Sequence, residues 1–280
     1  MYNIKDIQTR GFVVVPNFLD SNELAILQED YHEQKSKPVK NKNYAIVPGT
    51  QYSLINHKIN QVMELVRQTT DLKVDIVRPA SGYFDTTLTE FAWHADHEPY
   101  FRHQDSYNAL NFWIPVIKPR TDTSGLCIVP FDVVEQLDPT YVRNHLLGKG
   151  AKLFYTEGNQ TRVVDDTLGT TTVLPYVFDD LSVAPVCGPG DLVLMRNDTI
   201  HRTQDALDHR VAMSVRCYNG EGVVYKDKFV QGAEAKQQMI QKNPAGFRDI
   251  IEKFNVGNRD HFQIKELYKE KGPTGPFWLM

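Results

Sequence analysis

Short strand-like runs separated by turn residues fill the middle of the chain, and this pattern constrains the fold more than any other feature. The runs are rich in β-branched and aromatic residues and lie between Lys73 and Cys217. The candidate strands are KVDIVRPA, TLTEFAWHA, ALNFWIPVIK, GLCIVPF, TTVLPYVF, DLVLMR and RVAMSVRCYN. Many short strands at close spacing are typical of an antiparallel sandwich or barrel. We therefore predict a mainly β core.

Helical patterns flank this core. Ahead of it, a strand is predicted from Gly11 to Pro16, and Asp20-x-x-Glu23 then has the spacing of a capping box that begins an amphipathic helix. A second helix is predicted over 56–70, since its apolar residues recur at helical spacing. That apolar face comprises Ile59, Val62, Met63, Leu65 and Val66.

No repeat or linker divides the chain, so we predict a single domain. Its parts would be a helical N-terminal support at 1–72, the core at 73–218 and a helical extension at 219–280, which contains KQQMIQKNPAGFRDIIEKF and ends in a tail. Within the core we expect an insertion at about 133–172, of which the first part (133–159) contains a helix and the second is a turn-rich hairpin.

Composition excludes several classes of function. The chain has 280 residues with 31 basic and 35 acidic side chains, and its net charge is −4. It therefore lacks the excess of positive charge that binding to nucleic acid or anionic lipid requires. No run of eighteen apolar residues or signal-peptide pattern is present. The three cysteines lack CxxC spacing, so a disulfide framework or thiolate zinc site is not expected. We predict a soluble cytoplasmic protein that acts on a small molecule.

A histidine and an aspartate two residues apart occur twice in WHADHEPYFRHQD, as His94 with Asp96 and as His103 with Asp105. On a strand, residues at i and i+2 point to one face, so each pair places an imidazole beside a carboxylate. A distant strand in GPGDLVLMRNDTIHRTQDALDHRVAMSVRCY offers a third ligand, His201. Two histidines and one carboxylate are the facial ligand set of non-haem Fe(II) oxygenases. The plainer interpretation of either pair is a surface histidine near a surface aspartate.

The first pair is the better candidate. Only three residues separate Asp105 from Ala109, where the strand ALNFWIPVIK begins, and this leaves little room for a ligand-bearing strand. His94 and Asp96 instead end a run whose alternation places aromatic residues on the opposite face. The second pair would then lie in a loop over the metal, where His103, Gln104 or Tyr107 touches substrate.

The last core strand carries a polar face. Alternation from Arg210 onward places Arg210, Ala212, Ser214 and Arg216 on one side and four apolar residues on the other. If the polar face points into a barrel, its guanidinium groups need anionic partners, because an unpaired buried charge is costly. A dicarboxylic co-substrate would provide one. Alternatively, this face is solvated and Arg210 pairs with Asp205 or Asp208.

Several segments together resemble the phytanoyl-CoA dioxygenase-like family of Fe(II)/2-oxoglutarate-dependent oxygenases. The resemblance covers roughly residues 9–218 and rests on GFVVVPNFLD, the His-x-Asp segment, LNFWIPVIKPRTDTSGLCIVP and GDLVLMRNDTIHRTQDALDHRVAMSVR. It implies a double-stranded β-helix, that is, a cupin-like jelly-roll barrel with flanking helices. It also implies an iron held by His-x-Asp and His201, with Arg210 binding the far carboxylate of 2-oxoglutarate and Trp113 lying along this co-substrate.

We therefore predict an Fe(II)/2-oxoglutarate dioxygenase that hydroxylates an amino acid, lipid-like acid or secondary metabolite, using O2 and releasing succinate and CO2. The metal ligands would be His94, Asp96 and His201, and the co-substrate would contact Arg210, Trp113 and Ser214. The family that the chain resembles includes halogenases in which a small residue replaces the acidic ligand, so the aspartate in both pairs implies oxygenation rather than halogenation. His97 is a candidate to orient Asp96. The rivals are a non-catalytic ligand-binding jelly roll and a cupin-type zinc or manganese enzyme whose ligands are His94, His97 and His103.

Overall fold

Two antiparallel sheets form the centre of the molecule. A computed structural model of the protein describes residues 3–40, 45–96, 101–150, 152–165, 169–231, 234–242 and 244–268. One sheet has seven strands in the order β1-β11-β6-β13-β4-β3-β2, and the other has six in the order β10-β9-β8-β5-β12-β7. The strands span Phe12–Val15 (β1), Val39–Lys40 (β2), Ala45–Gly49 (β3), Ile76–Asp85 (β4), His94–Ala95 (β5), Ala109–Ile117 (β6), Leu126–Val129 (β7), Lys152–Glu157 (β8), Gln160–Asp165 (β9), Thr170–Leu174 (β10), Leu192–Arg196 (β11), Ile200–Thr203 (β12) and Val211–Tyr218 (β13).

Helices cover the outer faces of both sheets. They span Asp6–Thr9 (α1), Ser21–Gln34 (α2), Asn56–Thr69 (α3), Phe131–Leu137 (α4), Pro139–Tyr141 (α5), Lys226–Val230 (α6), Glu234–Lys242 (α7), Arg248–Asn255 (α8) and Lys265–Tyr268 (α9). A π-helical turn spans Val142–Leu146, and 3-10 turns span Tyr52–Ile55, Phe178–Asp180 and Pro244–Phe247. No helix of the described ranges is both long and apolar enough to cross a membrane.

Local sequence signals account for the first two long helices. The predicted capping box is present at α2, where Asp20 accepts from the backbone N–H of Glu23 and the Glu23 carboxylate accepts from that of Asp20. In α3 the apolar face is buried as predicted, with Leu65 partly buried. Both helices contribute to a cluster that covers the outer face of the seven-stranded sheet.

Alternation along β13 sorts its side chains between two environments, as predicted. Val211, Met213, Val215 and Cys217 are buried in the cluster beneath the helices. Ala212 lies on the opposite face and packs between the sheets with Trp113 of β6. Strands of both sheets contribute to this inner cluster, whose members are Phe12, Trp113, Leu126, Ile128, Cys187, Val193, Met195 and Ala212. The inner face of β13 therefore points into the space between the sheets.

One predicted strand is much shorter in the structure. Only His94 and Ala95 form a strand in the region predicted as TLTEFAWHA, and a turn occupies the first residues of that region. The helical part of the predicted insertion ends at Leu146, and Lys152 begins a strand that pairs with β5. Strands β8, β9 and β10 thus extend the six-stranded sheet.

The C-terminal extension contains helices α6 to α9 and a two-stranded antiparallel sheet of Val223–Tyr225 (β14) with His261–Gln263 (β15). Its apolar cluster includes Phe229, Phe254 and Phe262, and it packs on Phe101 and Tyr218 at the end of the core. The predicted tail at 272–280 lies outside the described residues.

Candidate metal centre

Adjacent strands of the six-stranded sheet bring two histidines face to face. His94 of β5 and His201 of β12 are direct cross-strand partners. Their neighbours Ala95 and Ile200 are buried in the cluster on the outer face of the sheet, so alternation turns both histidines inward. The two imidazole rings lie 4.2 Å apart between centroids.

Asp96 completes a triad with these histidines. Its Oδ1 lies 3.7 Å from Nε2 of His94 and 3.9 Å from Nε2 of His201. One ligand atom from each residue falls within 4.8 Å of the other two, and in the described part of the chain this is the group of His, Cys, Asp and Glu side chains that could hold a metal ion. The pair in the WHAD segment and the distant histidine therefore converge.

Hydrogen bonds set the tautomer of both histidines. Nδ1 of His94 lies 2.8 Å from the carbonyl oxygen of Ala92, and Nδ1 of His201 lies 2.9 Å from that of Thr199. Because a carbonyl oxygen only accepts, each Nδ1 carries the hydrogen and each Nε2 keeps its lone pair. Backbone carbonyls at this position orient the rings of metal-binding histidines in general. Both Nε2 atoms are thus prepared to bind a cation.

The charge of Asp96 is retained although its side chain is only 8% exposed. Burial alone would raise its pKa, but the Arg216 guanidinium, together with His201 and His94, outweighs burial and holds the pKa below its usual range. Arg216 donates from Nη1 to Oδ2 of Asp96. Oδ1 is the oxygen that points toward the histidines, so the two carboxylate oxygens have different partners.

A buried ion pair supports the turn that precedes His201. Arg196 and Asp198 are bonded to each other and are at most 1% exposed. The Arg196 guanidinium lies 4.1 Å from the ring centre of Tyr107, and Asp198 also accepts from the backbone N–H of Gly148 at 2.6 Å. These contacts fix the start of β12 and hence the position of His201.

Arg210 directly precedes β13 of the seven-stranded sheet, whereas the histidines of the triad lie on the six-stranded sheet, and Arg210 is only 2% exposed. Its guanidinium donates to the carbonyl oxygens of Ser124 at 2.9 Å and Phe84 at 3.3 Å, and lies 5.4 Å from the ring centre of Trp113. Burial lowers the pKa of Arg210 to about 10, with Asp85 opposing the shift, so the group remains protonated near neutral pH. The solvated alternative for this face is therefore wrong.

The suggested partners of Arg210 are engaged elsewhere. Asp205 accepts from the backbone N–H of Ser124 at 2.9 Å, and Asp208 accepts from the Thr123 hydroxyl. Ser214 faces Trp113 across the strands and donates to Oδ1 of Asn111 at 2.7 Å. The predicted co-substrate residues Arg210, Trp113 and Ser214 thus share the inner face of one sheet.

The second His-x-Asp pair does not join the metal centre. His103 is fully buried, with Nε2 at 2.7 Å from the hydroxyl of Tyr268 in the C-terminal extension. Asp105 accepts from the backbone and side-chain nitrogens of Asn108 at 3.0 and 3.1 Å, which closes a local turn. Both residues have structural partners.

The residues of this loop that were predicted to touch substrate have protein partners. Gln104 exchanges two hydrogen bonds with the backbone of Tyr225, and the Tyr107 hydroxyl donates to Asp71 at 2.8 Å. His103 is not available to the cupin-type ligand set for the reason just given. His97, a member of that set and the candidate to orient Asp96, lies outside the described residues.

Comparison with known proteins bears on the fold. No protein-family model matches the sequence, and no curated protein matches it. Among solved structures, the apoform of EctD from S. alaskensis has a TM-score of 0.51 at 14% identity, with 83% of each chain covered. EctD with 2-oxoglutarate and 5-hydroxyectoine has a TM-score of 0.50 at 12% identity, covering 79% of this chain and 76% of that one.

A second protein has the same architecture. SnoK from nogalamycin biosynthesis, described as a non-heme alpha ketoglutarate dependent carbocyclase, has a TM-score of 0.50 at 14% identity, covering 78% of this chain and 83% of that one. At such identities the similarity concerns the fold. The chain therefore has the jelly-roll fold of non-haem 2-oxoglutarate-dependent oxygenases.

Proposed function

We propose that the protein is an Fe(II)- and 2-oxoglutarate-dependent oxygenase that hydroxylates a C–H bond of a small molecule. The observation that carries this proposal is the convergence of His94, Asp96 and His201 inside the fold that these enzymes share. Two imidazoles and one carboxylate suit ferrous iron and leave positions for other ligands. The narrower resemblance to the phytanoyl-CoA dioxygenase-like family stays a prediction.

The donor set fits the ion. Each histidine presents an Nε2 lone pair because its Nδ1 hydrogen is bound to a backbone carbonyl, and Asp96 presents a charged oxygen. Bound iron with 2-oxoglutarate and O2 would supply the oxidising chemistry, with release of succinate and CO2. The chain itself would hold and orient these reactants and exclude water.

Arg210 would bind the distal carboxylate of the co-substrate. It is a buried cation whose hydrogen bonds in the described residues go to carbonyl oxygens, so a carboxylate would supply the opposite charge. Trp113 would form an apolar wall beside this carboxylate, and Ser214 would offer a hydroxyl on the same face. Arg210 would act as a binding residue that does not exchange its proton.

Substrate would approach from the side of His94. The His94 side chain is 15% exposed, against 8% for Asp96 and 7% for His201. The ring of Phe91 lies 5.4 Å from that of His94 between centroids, so an apolar surface borders this approach. Two of the similar structures are associated with small molecules: SnoK belongs to nogalamycin biosynthesis, and EctD was solved with 5-hydroxyectoine. We therefore favour an amino acid, lipid-like acid or secondary metabolite as the substrate class.

The test is anaerobic addition of Fe(II) and then 2-oxoglutarate to metal-free protein. We expect a weak visible charge-transfer band that needs both additions, followed in air by slow release of succinate. Asp96→Ala should abolish both signals, whereas Asp180→Ala, which changes an exposed aspartate on a 3-10 turn, should retain them.

Two outcomes would contradict the proposal. Metal uptake without any response to 2-oxoglutarate would favour a cupin-type metalloenzyme. No metal uptake by the folded protein would favour a jelly roll that binds a ligand without iron chemistry.

A further inference from the structure

We infer that Arg216 is a positioning residue that holds the Asp96 carboxylate so that a single oxygen, Oδ1, faces the metal. The inference rests on the proposed function, since it concerns the same metal centre. Arg216 itself lies behind the carboxylate as seen from the histidines, because it bonds to Oδ2 while Oδ1 is the oxygen nearest both Nε2 atoms.

Arg216 is fixed by more than its bond to Asp96. The same Nη1 donates to Oδ1 of Asn197 at 3.0 Å, and Asn197 is fully buried. The backbone carbonyl of Asn197 in turn accepts from the backbone N–H of Asp96 at 3.1 Å. Asn197 therefore contacts both members of the pair and ties them to the turn that leads to His201.

The strand that carries Arg216 is irregular at this residue. From Met213 to Tyr218 β13 pairs with β6 without a shift, and Arg216 lies opposite Asn111, but the register of β13 with β4 shifts between Val215 and Cys217. Irregularities of this kind re-aim a side chain and are frequent beside active sites. The Arg216 side chain is 17% exposed, less than is usual for an arginine. The local backbone is thus adapted to place this guanidinium against Asp96.

Two consequences follow for the metal. A carboxylate whose Oδ2 is held by a guanidinium binds through one oxygen, which leaves room for a chelating co-substrate. The guanidinium also offsets the charge of Asp96, so the donor set as a whole is close to neutral. Arg210 and Arg216, six residues apart on one face, would then have separate tasks: Arg210 binds the co-substrate and Arg216 orients a ligand.

The experiment uses Co(II) as the probe, because its visible spectrum reports the coordination of the bound ion and its binding needs no turnover. Metal-free wild-type protein, Arg216→Met, Arg216→Lys and Arg216→Gln are titrated with Co(II), and each spectrum is recorded at saturation. Arg162→Met is the control. Arg162 of β9 pairs with Glu157 of β8 in the six-stranded sheet, away from the triad.

We expect Arg216→Met to weaken Co(II) binding by about 10- to 100-fold, the usual cost of losing a group that orients a metal ligand. At saturation its visible spectrum should also differ from wild type, because Asp96 can then offer both oxygens. Arg216→Lys keeps a cationic donor and should recover part of both properties, whereas Arg162→Met should match wild type. A purely structural role for Arg216 would leave the saturated spectrum unchanged.

Should Arg216→Met fail to fold, the comparison of Arg216→Lys with Arg216→Gln decides, and the lysine variant must be the closer to wild type. Wild-type affinity and spectrum in folded Arg216→Met, or in both Arg216→Lys and Arg216→Gln, would overturn the assignment of Arg216 while leaving the proposed function intact. A wild-type protein that takes up no Co(II) and no Fe(II) would overturn the proposed function, and this assignment with it.

Discussion

The Arg202 guanidinium lies 5.0 Å from the ring centre of Trp93, on the outer face of the sheet whose inner face carries the histidines. Asp179 joins the two: it accepts from Nε1 of Trp93 at 3.2 Å and from Nη2 of Arg202 at 3.0 Å. Trp93 directly precedes His94, and Arg202 directly follows His201. Asp179 therefore clamps the two ligand-bearing strands from behind.

Removal of this clamp should loosen the metal centre. We expect Asp179→Ala to lower the free energy of unfolding by about 1 kcal/mol, a modest cost because the ion pair is partly exposed. It should also weaken metal binding, since β5 has only two residues. Urea unfolding and Co(II) titration check both effects, with Asp180→Ala as the matched control. Equal metal affinity in the two variants would show that the clamp serves stability alone.

Alanine at either metal-binding histidine should abolish metal binding. His94→Ala or His201→Ala removes one of three ligands, so the loss should exceed the roughly 10- to 100-fold cost of changing an outer partner. His103→Ala should keep wild-type affinity, because this side chain contacts Tyr268 rather than the triad. Equilibrium dialysis with Fe(II) under anaerobic conditions measures the three variants, and circular dichroism confirms that each is folded. Loss of metal binding in His103→Ala alone would move the site to the second pair.

Much of the fold follows from local signals in the sequence. The capping box predicts α2, and strict alternation predicts the two faces of β13. The division into a support, a core and an extension stays a prediction. The short strand β5 escapes sequence reasoning because its two residues are held by partners more than 50 residues away, His201 and Leu153. Pairing of this kind depends on tertiary contacts, which no short window of sequence records.

The metal centre, too, can be predicted from the sequence only in part. The i and i+2 spacing of His94 and Asp96 is visible in the sequence, and so is the need of the polar face of β13 for anionic partners. What the sequence does not show is that Arg216 meets Asp96, 120 residues away. Likewise, nothing near His103 indicates that the C-terminal extension will cover it. Long-range partners decide which of two similar motifs becomes the metal centre.

Arg210 should control affinity for the co-substrate. We expect Arg210→Met to weaken 2-oxoglutarate binding by about 2–4 kcal/mol, that is, about 30-fold to about 1,000-fold, because a buried charge pair is lost. Arg210→Lys should have an intermediate affinity for 2-oxoglutarate, since lysine keeps the positive charge but cannot donate two parallel hydrogen bonds to a carboxylate. Isothermal titration of the Co(II)-loaded protein with 2-oxoglutarate measures this. The control, Arg120→Met, changes an exposed arginine. Unchanged affinity in Arg210→Met would place the anion site elsewhere.

Metal-free protein should lose stability on mild acidification. Burial lowers the pKa of His201, and attraction by Asp96 offsets only part of this effect. The unfolded chain therefore takes up a proton near pH 6.5, while the folded chain does so only at lower pH. The contribution of neutral His201 to the free energy of unfolding is fully present above about pH 6.5. It is lost as the pH falls toward the pKa of His201 in the folded state, by at most about 1.4 kcal/mol per pH unit.

Urea unfolding in the presence of a chelator tests this sign. Between pH 7 and pH 5 the wild type should lose stability more steeply than His201→Gln, which has no proton to take up at this position. Parallel slopes for the two proteins would show that His201 titrates alike in the folded and unfolded states. Saturating Co(II) should make the slope of the wild type at least as steep, because the bound metal keeps Nε2 of His201 free of a proton in the folded state while the unfolded chain still takes one up.

Gly11 links the N-terminal strand to the metal ligand His201. Its carbonyl oxygen accepts from the Thr199 hydroxyl at 2.9 Å, and the Thr199 carbonyl accepts from Nδ1 of His201 at 2.9 Å. The φ of Gly11 is +82°, and an added Cβ would lie 2.7 Å from the Phe131 ring and 2.8 Å from the Thr199 hydroxyl. Any side chain at this position must therefore displace the Phe131 ring and the side chain of Thr199, the residue whose carbonyl orients His201.

We expect Gly11→Ala to cost about 2–4 kcal/mol of unfolding free energy, which combines the strain of a positive φ with overpacking. Gly158→Ala is the matched control, because Gly158 has φ +66° but nothing lies within 4 Å of its added Cβ. It should cost only about 1–2 kcal/mol and leave metal affinity unchanged. Gly11→Ala should instead weaken Co(II) binding at temperatures where the variant is fully folded. If both glycine variants bind Co(II) like the wild type, the hydrogen bonds from Gly11 through Thr199 to His201 do not set the ligand geometry.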